Sequence, residues 1–310
     1  MTDALRRAES ILRAACGERV RTGYPLAPLT SFRIGGPAAL YLEPESERDL
    51  VAAGEAIRQA DIPVVVIGKG SNILVADGGF EGLVLRLGRG YRWAARSGAL
   101  VTAGGAMPFP ALAGVALSHG LTGLEFGVAI PASFGGAIRM NAGAHGREVA
   151  YVVESIDVFE LATQSARVIS AAEAGFRYRN SDLPADAVVV GGTVRLAQAD
   201  TSEIRRLMDE AREWRRRTQP LAEPNCGSVF KNPPGDHAAR LIEEAGGKGL
   251  SAGGAVISAK HANFIVAADG AKASDIVQLV TKVQDLVQAR SGVHLDPEVH
   301  LIGHFDLAPR

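Results

Sequence analysis

Apolar positions recur with a helical period in the first twenty residues, where Leu5, Ala8, Ile11, Leu12 and Ala15 share one face and Gly17 ends the run. Between about residues 26 and 85 the pattern becomes β, α, β, loop, β. "AALYLEP" (38–44) reads as a strand, and Ser46 with Asp49 opens a helix carrying Leu50, Val51 and Ile57 on one face. "IPVVVIG" reads as a buried strand, a glycine loop follows, and "NILVAD" resumes as another strand. Residues 86–198 read as strands and turns, with clear strands at 152–161 and 187–196. Two small-residue patches interrupt them, "VTAGGAMPFPALAGVALSHGL" and "AIPASFGGAIRMNAGAHG". Near residue 199 the character shifts. Asp200 and Glu203 open a helix with Ile204, Leu207, Met208, Ala211 and Trp214 on one face, stopped by Pro220. "DHAARLIEEAGG" predicts a second helix with Asp236 as cap and Gly246 as stop, and "HANFIVAA" a strand. A long helix runs from Ser274 to about Gly292, with Ile276, Val277, Val280, Val283 and Val287 inward, and the last strand turns at Pro297. The pattern predicts an α+β protein: an N-terminal helix (1–25), a two-lobed β-rich domain (26–198, lobes about 26–85 and 86–198) and a smaller α+β domain (199–310).

Composition narrows the partners. With 33 basic and 34 acidic residues the formal net charge is -1, so no global attraction to nucleic acid or anionic membrane is expected. The longest aliphatic runs, such as "VVVI" (64–67), fall far short of the roughly 20 residues that span a bilayer. The N-terminal segment is amphipathic and lacks the continuous apolar stretch of a secretory signal. Cys16 and Cys226 form no CxxC, which fits a reducing cytoplasm. The 36 glycines are clustered, which marks places where backbone approaches a ligand or another backbone.

Some segments combine polar chemistry with unusual backbone. In "VVVIGKGSNILV", Gly68 and Gly70 let successive N–H groups face an anion, with Ser71 and Asn72 as further donors; a tight glycine hairpin is the alternative. It is neither a P-loop nor a dinucleotide fingerprint, since a strand follows. The 129–146 patch adds Ser133, Arg139 and Asn141 to its glycines, which favours contact with a large flat ligand over a packed sheet corner. "FRYRNSDL" (176–183) offers an arginine fork for a carboxylate or phosphate, or simply solvated arginines. In "PNCGSVFKNPPG", prolines exclude helix and central strand and leave a stiff segment presenting Ser228, Lys231 and Asn232. "REWRRR" reads as the solvated end of a helix. The histidines of "HLIGH" diverge in a strand, so no metal is expected.

Taken in order, "TSFRIGG", "IGKGSNILV", "GLEFGVAIPASFGGAIRMNAGAHG", "FRYRNSDL", "GSVFKNPPGDHAARLIEEAGGKG", "KHANFIV" and "PEVHLIG" closely resemble the UDP-N-acetylenolpyruvoylglucosamine reductase family, from about residue 25 to 304. That resemblance implies a two-part FAD-binding domain of the vanillyl-alcohol-oxidase type followed by an α+β substrate-binding domain. It implies non-covalent FAD, NADPH as co-substrate, a UDP-sugar enolpyruvate as substrate and a cytoplasmic monomer acting in peptidoglycan synthesis. Arg179, Ser228 and Glu298 match the family's catalytic residues, and Lys231 and Asn232 match substrate contacts. Arg33, Gly68, Lys69, Gly70, Ser71, Asn72 and Ile73 match the FAD-binding stretches, "GKGSN" on the pyrophosphate. Ser133, Gly135, Gly136, Asn141 and Gly143 would line the flavin. The short stretch between Arg179 and Ser228 is similar to the subgroup without an extra tyrosine loop.

The implied reaction adds hydride to the methylene carbon of an enolpyruvyl ether. Arg179 then stabilises the enolate-like charge, Ser228 protonates the adjacent carbon, and Lys231 eases loss of the hydroxyl proton. Glu298 would be protonated or would anchor Arg179. The chain departs from the family at Ala129 and Ala132, where glycine is common, at Ser133 and Phe134, and at His145, where tyrosine is frequent. Alanine would be strained if either replaced glycine has positive φ. A different FAD-linked oxidase, or a non-catalytic paralogue, would be expected to lack "GSVFKNP" or one of the three matched residues, and none is missing.

Overall fold

The computed structural model describes residues 1–305. Among them the chain forms seven α-helices: α1 (Asp3–Cys16), α2 (Glu47–Ala60), α3 (Phe109–Ser118), α4 (Phe134–Arg139), α5 (Thr201–Thr218), α6 (Ala238–Glu244) and α7 (Ala273–Ser291). Local chemistry accounts for their ends. Thr2 accepts the Leu5 N–H at the start of α1, and Gly17 ends it at φ 59°. Ser46 and Asp49 form the expected capping box of α2. Asp200 accepts the Ser202 N–H at the start of α5 (2.7 Å). Gly292, at φ 71°, closes α7.

Two compact units result. The first comprises Met1–Thr22, Ala39–Lys69 and Gly82–Arg215. It holds two cores. Helices α1 and α2 bury Leu5, Leu12, Leu50 and Ala53 with Leu40, Leu83 and Leu85 of a four-stranded sheet. That sheet runs in the order Arg21–Pro25, Pro37–Leu42, Phe80–Leu85, Val64–Val66. The second core lies under an antiparallel five-stranded sheet ordered Ser165–Ser170, Val153–Glu160, Ala187–Arg195, Leu100–Gly104, Ala94–Ser97. Helices α3 and α4 fill it with Phe109, Leu112, Phe134 and Ile138. The other unit gathers Gly23–Ala38, Gly70–Glu81 and the chain from Arg216 onward. Here α6 and α7 pack on the strands Ser251–Ala252, Ala255–Ile257 and Ile265–Ala267 through Leu241, Ile276, Leu279 and Val283. Ile73–Val75 pairs in parallel with His300–Ile302.

Some sequence expectations are corrected. Val64–Val66 is an edge strand rather than a buried one, with Val66 40% exposed, because a run of valines cannot tell an edge from a centre. The two small-residue patches, to which the sequence pattern assigned no element, each contain a helix, α3 and α4. Asp236 does not cap α6; its carboxylate pairs with Arg240 (Nε at 2.7 Å). The Ala238 N–H goes instead to Asn232 Oδ1 at 3.1 Å. "HANFIVAA" is a strand only over Ile265–Ala267, since a turn with Phe264 N–H on the His261 carbonyl precedes it.

Candidate active site

In the first unit a cleft of about 240 Å³ opens among Gly68, Lys69, Gly88, Gly105, Ser133, Gly135, Gly136 and Val189. Five cations, Lys69, Arg86, Arg89, Arg92 and Arg139, line it against one carboxylate, Glu43. Burial, then Arg86 and Arg92, hold the Lys69 ammonium below its ordinary pKa. Such a wall attracts an anion.

Backbone, not side chains, shapes the floor. A Cβ on Gly68 would sit 2.5 Å from Ser133 Oγ, and one on Gly135 2.8 Å from the Val189 carbonyl. At Gly105 an added Cβ would overlap that same carbonyl, while its N–H donates to Val190 O at 2.7 Å. Ser133 Oγ accepts the Gly136 N–H at 3.2 Å. Arg86, Arg89 and Arg92 answered no motif in the sequence reading, yet "RLGRGYRW" (86–93) sets all three around two glycines, a signal that could have been read.

Two residues of the 129–146 patch have structural partners. Arg139 donates to the carbonyls of Leu183 (3.3 Å) and Pro184 (3.2 Å) and to that of Ala187, and burial lowers its pKa. Asn141, fully buried at φ 41°, accepts the Ala150 N–H (2.9 Å) and donates to Arg177 O (3.1 Å). Ala129 and Ala132 are not in the left-handed region, so neither carries the strain that a lost positive-φ glycine would impose. His145 is in it, at φ 52°, followed by Gly146 at φ 72°. Together they turn the short hairpin 143–148, the pair of left-handed residues a two-residue loop requires. The His145 ring meets Trp214 edge-on at 5.1 Å.

The arginines of "FRYRNSDL" differ. Arg177 is exposed and forks onto Asp182 (Nη1–Oδ2 2.7 Å). Arg179 sits at φ 55°, sparsely populated backbone for a non-glycine residue. Its Nη2 donates to the Gly143 carbonyl at 2.9 Å, and its guanidinium lies 4.8 Å from the Tyr178 ring centre. A Cβ on Gly143 would stand 3.1 Å from Arg179 Nη1, so the glycine leaves the guanidinium room.

In the second unit, Ser228 follows Gly227 (φ 81°), whose N–H Asn225 Oδ1 accepts at 2.9 Å in an Asx turn. Val229 O accepts the Glu298 N–H at 2.7 Å, and Lys231 N–H goes to Asp296 O at 2.9 Å. Ser228, Lys231 and Glu298 therefore stand on adjoining extended segments although they are distant in sequence. Asn72 Nδ2 donates to the Glu298 carbonyl at 3.0 Å, and Asn72 O accepts the His300 N–H at 3.0 Å. Gly70, at φ 66°, leaves Ser71, Asn72 and Ile73 to run into the strand Ile73–Val75, and its carbonyl accepts the Ser31 N–H at 2.9 Å. Arg33 (φ 59°) lies in the same unit, its N–H near Thr30 Oγ1 (3.1 Å). Burial, then the Glu298 carboxylate, push the Cys226 thiol up, which keeps it an unreactive thiol.

A cationic, glycine-floored cleft fits the diphosphate of FAD, and a family model for an FAD binding domain matches residues 38–172. With that cofactor the chain is an FAD-dependent oxidoreductase of vanillyl-alcohol-oxidase-type fold. A solved glucose dehydrogenase, Phl p 4.0202, shares that fold at TM-score 0.51 and 12% identity, over 64% of this chain and 45% of its own.

A second family model, for the UDP-N-acetylenolpyruvoylglucosamine reductase C-terminal domain, matches residues 219–302. Curated relatives of that name are 43% identical in Anaeromyxobacter sp. (strain Fw109-5), over 98% of this chain and 94% of theirs, and 44% identical in Heliobacterium modesticaldum, over 90% and 89%. The crystal structure of the Thermus caldophilus reductase superposes at TM-score 0.81 and 36% identity, over 92% of this chain and 99% of its own. The chain belongs to the UDP-N-acetylenolpyruvoylglucosamine reductase family. Among the described residues no helix is long and apolar enough to cross a membrane.

Proposed function

We propose that the chain reduces UDP-N-acetylglucosamine enolpyruvate to UDP-N-acetylmuramate at the expense of NADPH, as a cytoplasmic monomer in peptidoglycan precursor synthesis. The observation that carries this reading is the hydrogen bond from Glu298 N–H to Val229 O, which joins the Ser228 segment to the Glu298 segment. When bound, FAD supplies the hydride carrier between NADPH and the enolpyruvyl methylene carbon. Gly68, Lys69, Gly70, Ser71 and Asn72 would hold its diphosphate, with Arg33 and Ile73 beside it; Ser133, Gly135, Gly136, Asn141 and Gly143 would bound the flavin side. Neither His119 nor His145 sits in a motif linked to covalent attachment, so the FAD is taken as non-covalently bound.

Charge develops on the substrate carbon next to the carboxylate, and Arg179 would stabilise it through a planar fork already oriented by Gly143 O. Ser228 would give its proton to that carbon. A hydroxyl is a weak acid, but the carbanionic carbon is a strong base, so the transfer runs downhill. Lys231 would ease the loss of the hydroxyl proton, and Asn232 would contact substrate from the start of α6. Glu298, protonated, would avoid repelling the growing anion, or would anchor Arg179. On this reading 26–198 serves the cofactor and 199–310 the substrate, although the cofactor stretches around Arg33 and Gly70–Ile73 pack in the unit that holds the chain from Arg216 onward.

The test is NADPH oxidation by the purified, FAD-loaded protein with and without the enolpyruvyl nucleotide, product mass being read alongside. Nucleotide-dependent oxidation with a gain of two hydrogens is expected. NADPH oxidation that ignores the nucleotide would overturn the reading. Acid denaturation followed by filtration should release the flavin; flavin retained by the chain would contradict non-covalent binding.

A further inference from the structure

We propose that Asn263 is the positioning residue that aims Ser228, acting through the backbone of the two residues that follow it. This rests on the reading of Ser228 as proton donor given above.

Asn263 is 3% exposed. Its carbonyl accepts the Val229 N–H at 2.9 Å. Its carboxamide then pairs with both backbone groups of Phe230: Oδ1 accepts the Phe230 N–H at 2.9 Å and Nδ2 donates to the Phe230 carbonyl at 2.8 Å. This is the donor and acceptor pair that a neighbouring strand residue presents. No strand provides it, because residues 261–264 form a turn and the strand Ile265–Ala267 begins beyond it. One side chain therefore stands in for a missing rung of sheet.

The opposite edge of the segment is held by Glu298 N–H on Val229 O (2.7 Å) and by Lys231 N–H on Asp296 O (2.9 Å). Upstream of Ser228 lies Gly227, at φ 81°, where backbone freedom is greatest. The direction of the Ser228 Cα–Cβ bond is thus set mainly by the grip on Val229 and Phe230. A general acid must reach its acceptor within hydrogen-bond distance, and a displacement of about 1 Å costs on the order of 10²-fold. Asn263 is buried away from solvent, so its influence travels through Ser228 rather than by touching substrate.

The experiment reads the two half-reactions of FAD-loaded enzyme by stopped flow. Asn263→Ala should leave flavin reduction by NADPH within about twofold of normal and slow reoxidation by the enolpyruvyl nucleotide by about 10- to 100-fold. Reoxidation of the same reduced enzyme by dioxygen, which needs no aimed hydroxyl, should not change. In a Ser228→Ala background the substitution should add less than about threefold, because no hydroxyl remains to be aimed. Equal slowing in both backgrounds, slowing of both half-reactions, or normal reoxidation would each overturn the proposal. Normal reoxidation in Ser228→Ala with Asn263 intact would instead sink the proton-donor reading, so the two failures are told apart. Should Asn263→Ala not fold, Asn263→Asp keeps the acceptor for the Phe230 N–H and sets an acceptor in place of the donor to the Phe230 carbonyl, and the same outcomes decide.

Discussion

The cleft of the first unit and the Ser228 segment of the second meet opposite demands with opposite means. The cleft is made by removing side chains: Gly68, Gly105 and Gly135 bring backbone and Ser133 so close that a single methyl would collide. Its polar character comes from cations around that bare floor. The Ser228 segment presents one hydroxyl and spends its neighbours on holding it, with Asn225 before it, Asn263 and Glu298 on either edge, and prolines at both ends. A cofactor that stays bound needs a broad surface of close approach. A proton donor used at one instant needs one atom fixed in direction. Damage to the first should therefore appear as lost cofactor, and damage to the second as a slow step in a fully loaded enzyme.

The largest departure from normal among single changes outside the serine segment should come from Arg179→Lys. A point charge cannot reproduce the fork, and turnover should fall about 10²-fold with flavin content intact. Unchanged turnover would move the role to Arg177, which the structure ties to Asp182. Next, Gly105→Ala forces the added methyl against the Val189 carbonyl and should weaken FAD binding by about tenfold, read by flavin fluorescence on dilution. Full flavin content in that variant would break the contrast drawn above.

A smaller effect concerns the anchor of α1 on α2. Burial raises the Asp49 pKa, but the Arg19 fork (2.6 and 2.7 Å) and the Glu45 N–H (2.7 Å) outweigh it and bring it to about 2. The folded value lies below the ordinary 3.8, so the stabilisation is complete above that pH and is lost as pH falls towards about 2. Asp49→Ala should cost about 2 kcal/mol near neutrality in urea unfolding, and the difference from wild type should vanish in acid. A difference that persists there would assign the loss to packing instead. The smallest effect is a null: Ala132→Gly should change FAD affinity by less than about twofold, because Ala132 is not at positive φ. A large gain would mean the alanine is strained after all.

What could be read from sequence was local. The Ser46–Asp49 box, the glycine stops of α1 and α7, and the long strands 153–160 and 187–195 are written within a few residues of where they act. The exchange of roles between Asp236 and Asn232 was not legible, since either short polar side chain can meet a first-turn N–H and only the approach of the chain decides. Asn263 lay inside "HANFIV" and read as strand; its partners are far away in sequence, and a carboxamide imitating a peptide leaves no periodic trace. Asn72 likewise read as part of an anion nest, while its carboxamide reaches the Glu298 carbonyl.

The most direct test of the contrast is the half-reaction behaviour of Ser228→Ala. The substitution removes one hydroxyl and leaves the backbone grip and the cleft intact. Flavin content and flavin reduction by NADPH should match wild type, while reoxidation by UDP-N-acetylglucosamine enolpyruvate slows by about 10²–10⁴-fold. Equal slowing of both half-reactions, or loss of flavin, would contradict the account, because the serine would then be part of the framework that holds the cofactor.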